Sequence, residues 1–101
     1  MMNRFAIAAV AVVLTTPFAV AGPIDSACVR SDRGTQNGPL CGCIQQVADM
    51  TLSRADQRRA AGFFKDADAA QHVRMSKSDA DNAFWARYKN FATTAEAYCA
   101  N

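Results

Sequence analysis

Histidine is almost missing from this chain of 101 residues, and its scarcity excludes a good deal of chemistry. The single one is His72. A zinc site needs about four ligands at recognisable spacing. His72 has no second histidine to join it, and the cysteines are expected in bridges. Asp68 stands one helical turn before His72, which suits an ion pair on an exposed helix face. The sequence also lacks a phosphate-binding glycine loop, a Gly-x-Ser-x-Gly elbow and a His-Glu-x-x-His pair. The carboxylate pairs Asp66/Asp68 and Asp79/Asp81 are spaced by two, so each pair splits across a helix and reads as capping residues. No catalytic residue, metal ligand or cofactor is expected.

Other absences bound the class. No segment alternates with period two through β-branched residues, so no strand is expected. Residues 1–21 hold Arg4 and no acid, so of 11 basic and 9 acidic side chains the remainder keeps 10 and 9. That near balance provides no basic footprint for nucleic acid. Beyond residue 21 no apolar run is long enough to cross a membrane, so that part has no span and forms no transport pathway.

What is present begins with an export signal. Met1 to Arg4 carries one positive charge, Phe5 to Leu14 is unbroken apolar sequence, and Pro17 stops the helix. Ala19-Val20-Ala21 presents small residues where signal peptidase reads them, so cleavage is expected after Ala21. The alternative, an uncleaved anchor, has only Phe5 to Ala21, which falls short of about 20 apolar residues and includes Thr15, Thr16 and Pro17. A periplasmic or secreted location follows, with residues 22–101 as one small domain.

The remainder reads as all-α, a small bundle of four to five helices. Pro23 opens a short first helix to Arg30, and residues 31–38 form a polar loop. A second helix runs from Pro39 to about Thr51, with Leu40, Cys43/Ile44, Val47 and Met50/Thr51 as its apolar stripe. Ser53 caps a third, Arg54 to Lys65, expected to bury Ala60, Ala61 and Phe64. Asp66 caps a fourth, to about Arg74. Ser76 or Ser78 caps the last, Asp79 to about Tyr98, whose stripe is Phe84, Tyr88, Phe91, Ala95 and Tyr98.

A domain this small has a marginal core, and exported chains compensate with disulfides. Four cysteines, Cys28, Cys41, Cys43 and Cys99, allow three pairings. On a helix Cys41 and Cys43 point about 200° apart and should serve different partners. The favoured pairing is Cys28 with Cys41 and Cys43 with Cys99, and the crossed one comes next. The third, Cys41 with Cys43, would close a strained and reducible ring and make the chain a thiol-disulfide redox protein.

Two surface patches are candidates for binding. Trp85 lies partly off the last helix's stripe, flanked by Arg87 and Lys89. Arg54, Arg58 and Arg59 cluster on the third helix as an anion site or a solvated face.

The segments Ser26-Ala27-Cys28, Cys41-Gly42-Cys43-Ile44-Gln45-Gln46-Val47-Ala48-Asp49, Phe63-Phe64-Lys65-Asp66, Phe84-Trp85 with Arg87-Tyr88-Lys89, and Ala95-Glu96-Ala97-Tyr98-Cys99 carry a resemblance. The chain resembles a family of small exported alphaproteobacterial proteins of unknown function, often labelled "arginine transporter". The resemblance implies export and disulfides, and brings no catalytic or ligand residues. Taken at its word, the label implies at most an accessory to arginine or amino-acid transport. Such a role needs an acidic pocket for a guanidinium, for which Asp49 and Glu96 are the only acids on or near long helices that could point inward. The leading expectation is a non-enzymatic binding or interaction module, whose partner is a periplasmic protein or envelope component.

Overall fold

The computed structural model describes residues 22–31 and 38–100. The expected export signal and the middle of the expected polar loop lie outside the described residues. Five helices follow one another: α1 (Pro23–Arg30), α2 (Gly38–Thr51), α3 (Arg54–Lys65), α4 (Ala67–Arg74) and α5 (Asp79–Cys99). The described residues contain no strand.

Short polar side chains set three of the helix starts. The Ser53 hydroxyl accepts from the Asp56 N–H at 3.1 Å. An Asp66 carboxylate oxygen accepts from Asp68 N–H at 3.0 Å. Ser78, of the two serines considered, is the cap of α5 and accepts from Asp81 N–H at 3.0 Å. Each satisfies a backbone donor that the first turn leaves open, worth about 1 kcal/mol. Ser76 supports the turn from behind, accepting from Ser78 N–H at 3.1 Å.

All five helices contribute to one core of Ile24, Val47, Ala48, Leu52, Ala60, Val73, Phe84 and Phe91. Burying a large apolar side chain contributes about 1.5–3 kcal/mol, so Phe84, Ile24 and Val47, all essentially inaccessible, are its anchors. The helix α2 packs most extensively on α5, α1 packs against both α2 and α3, and α4 joins α3 to α5. Disulfides link Cys28 to Cys41 and Cys43 to Cys99, with Cα separations of 5.6 and 5.8 Å. They join α1 to α2 and α2 to α5, as the opposed directions of Cys41 and Cys43 on a helix require.

The buried face of α2 departs from the stripe read off the sequence. Cys41, Gln45, Val47 and Ala48 are its buried residues, whereas Cys43 is half-buried and Met50 is 70 % exposed. The face is rotated by about 100°, one residue step. The cause is Gln45: counting only apolar positions misses a polar residue that belongs inside. Tyr98 is also 71 % exposed rather than part of the core. In the last turn of α5 the residue packed against the core is Cys99, tied there by its bridge to Cys43. On α3, Ala60 is buried while Ala61, Phe63 and Phe64 are half-buried.

Candidate functional site

A hydrogen-bonded polar group built on two buried glutamines, Gln45 and Gln57, lies beneath α1. The Gln45 carboxamide oxygen accepts from the N–H groups of Ile24 and Asp25, each at 2.9 Å. Its nitrogen donates to Asp49 Oδ1 and to Gln57 Oε1, each at 2.8 Å. Gln57 in turn donates to Asp49 Oδ1 at 3.1 Å and to the Leu52 carbonyl at 3.3 Å. Among the described residues no buried side-chain polar atom lacks a partner. A network satisfied in this way specifies a packing arrangement, and it ties α1, α2 and α3 together. Asp49, considered above as an acid for a guanidinium, is engaged by two amides. Glu96 lies exposed on α5.

Gly22 lies over this group. A Cβ at residue 22 would collide with the carboxamide atoms of Gln45. The missing side chain of Gly22 is thus what admits the cap.

The surface between α3 and α5 brings one member of the arginine patch, Arg59, to the same seam as Trp85 and Arg87. Trp85 is half-buried and stacks on Tyr88, with ring centroids 5.2 Å apart. Phe63 meets Tyr88 edge-on at 5.0 Å and Trp85 at 6.5 Å. Burial pushes the Tyr88 phenol above its ordinary value. Phe63, Trp85 and Tyr88 therefore form an aromatic face that rests on Phe84 and Phe91 and remains partly open to solvent.

The predicted cations divide into two sets. Arg59 is committed: its guanidinium lies 4.5 Å from the Phe84 ring centre and 2.6 Å from Asp81 Oδ1. Arg87 is committed too, forking onto Asp56 at 2.6 and 3.1 Å. Both pairs fasten α3 to α5. Arg54, Arg58 and Lys89 are exposed and have no ion-pair partner among the described residues. Asp56 stands among the arginines of its own helix, yet it pairs with Arg87. Its use by Arg87 depends on how α3 meets α5, which local spacing does not encode.

His72 is exposed and lines an open cleft between α3 and α4 with Asp66 and Asp68. No group of three metal-binding side chains forms among the described residues. Cys41 and Cys43 each hold a different, distant cysteine, and no cysteine is free. A redox role for the pair would need a bond between them or free thiols.

No protein-family profile matches the chain, and the searches of curated proteins and of solved structures found no match.

Proposed function

We propose that this protein is an exported, non-enzymatic interaction module that recognises its partner through the α3–α5 surface. The observation that carries the reading is the aromatic face of Phe63, Trp85 and Tyr88, half-open to solvent on helices that also present Arg54, Arg58 and Lys89 without ion partners. Aromatic rings together with cations are the side chains that most often dominate binding energy. The ion pairs Arg59–Asp81 and Arg87–Asp56 hold the two helices in register, so the face is presented already formed, which lowers the ordering cost of association.

Export is part of the same proposal. Two disulfides suit an oxidising compartment, and among the described residues no helix is long and apolar enough to cross a membrane. The partner is then a periplasmic protein or an envelope component. The family resemblance described above agrees with export and adds no ligand.

The test places a photo-crosslinking amino acid at position 85 in cells exporting the protein, with exposed Lys77 as the control position. A discrete adduct from position 85 and none from position 77 is expected. No adduct, or the same adducts from both, would overturn the reading. In parallel Trp85→Ala should remain folded. Its unfolding would make Trp85 a core residue and remove the patch.

A further inference from the structure

The face of α1 that looks away from the core forms a cleft of about 320 Å³ with the last turn of α3. Its floor is Ala27, Ala61, Gly62 and Phe64, and Arg30 and Lys65 stand at its edge. Among the described residues no carboxylate lines it. Both cations are exposed and neither has an ion partner among the described residues. An apolar floor with two unpaired cations is complementary to an anion carrying a short hydrocarbon chain.

Gly62 is an independent observation. It lies within α3, where glycine costs about 1 kcal/mol relative to alanine. A helical glycine is commonly kept for a close approach of two backbones, yet a Cβ at residue 62 would meet nothing within 4 Å. The protein's own packing does not require it. Gly42 in α2 is equally open, so openness alone marks no site. What distinguishes Gly62 is that the empty space above it belongs to a cleft with cations at its edge.

The geometry points to this α1–α3 cleft as a binding site for a soluble monocarboxylate with a short apolar chain. The volume sets the size. At about 320 Å³ the cleft is at the small end of ligand sites, which suits a short-chain molecule such as octanoate. The chain would lie on Ala27, Ala61 and Phe64 and over Gly62. The carboxylate would accept from the Arg30 guanidinium and the Lys65 ammonium, charge-assisted bonds stronger than neutral ones. The site is separate from the aromatic face of α3 and α5, so the fate of one proposal does not decide the other.

The experiment is a titration of the oxidised protein, processed to Gly22, with sodium octanoate below its micelle concentration. It is followed by calorimetry and by amide shifts of Ala27, Ala61 and Gly62. Saturable one-to-one binding is expected, and octanol should bind at least about tenfold more weakly because it brings no charge. The double variant Arg30→Gln, Lys65→Gln should lose about tenfold in affinity. Gly62→Leu, whose Cβ would strike no protein atom, should abolish binding while the fold persists. Should it unfold, the charge variants still decide. Absent saturation, equal binding of octanol, or a response unchanged in the variants would overturn the assignment. So would binding to anionic phospholipid vesicles with no response to octanoate, which would make the two cations a membrane-facing pair.

Discussion

The carboxamide oxygen of Gln45 lies 2.9 Å from the backbone nitrogen of Ile24, so the cap of α1 comes from α2. The first turn of α1 contains no side chain of its own that does this work. Replacing Gln45 by Leu would leave two N–H groups of α1 and the Gln57 carboxamide short of partners. The expected loss is about 2–4 kcal/mol in urea unfolding, in the range for breaking a buried hydrogen-bond network. Gly22→Val should cost about 1–3 kcal/mol through overpacking. The Gln45 group it strikes is the far end of a flexible side chain, but four hydrogen bonds hold that end in place.

The two bridges should differ in weight. By the chain-entropy relation the Cys28–Cys41 link, of separation 13, contributes about 3 kcal/mol. The Cys43–Cys99 link, of separation 56, contributes about 4 kcal/mol. Thermal melts of the two double-alanine variants should therefore place the Cys43/Cys99 variant lower. The reverse order would show that burial of Cys41, which is wholly inaccessible, outweighs loop length.

The Arg87–Asp56 fork is exposed on its arginine side. A double-mutant cycle with Asp56→Ala and Arg87→Ala should give a coupling of about 1 kcal/mol or less. That coupling should shrink as salt is raised. These ion pairs set register between α3 and α5, while the core supplies the stability.

Stability should fall at both ends of the pH scale for separate reasons. The Arg59 guanidinium, with help from Ser76 and Ser78, holds the Asp81 carboxyl below its ordinary value of 3.8. A carboxyl lowered on folding stabilises the protein above its unfolded value, and that contribution is lost as pH falls through the folded one. The melting temperature should therefore drop below about pH 4, less steeply in Arg59→Gln. Burial raises the Tyr88 phenol above 10.0. Its contribution is complete below the unfolded value and is lost as pH rises through the folded one. Tyr88→Phe should flatten the alkaline limb of melting temperature against pH.

The helices were legible because their ends are written locally. Ser53, Asp66 and Ser78 each cap within three residues of their own position, and the opposed directions of Cys41 and Cys43 follow from helix geometry alone. What was not legible depends on partners far away in sequence. Gln45 is inside because Ile24 and Asp25 need an acceptor there, 21 and 20 residues earlier. Arg87 is neutralised by Asp56, 31 residues before it. The same holds for the candidate sites. Trp85 stood out as a lone tryptophan off its stripe, whereas its setting against Phe63 and the α1–α3 cleft arise only when separate helices meet.

The covalent route through this molecule is much shorter than its sequence. Cys41 and Cys43 are joined through one glycine, and their bridges reach back to Cys28 and forward to Cys99. A pulling force applied at Gly22 and Ala100 would enter at Cys28, pass through Gly42 and leave at Cys99. Residues 29–40 and 44–98, which include nearly all of α2 to α5, would carry no tension. Under mechanical load the oxidised domain behaves as a short inextensible link, and only reduction releases its length, at up to about 3.3–3.6 Å for each residue freed.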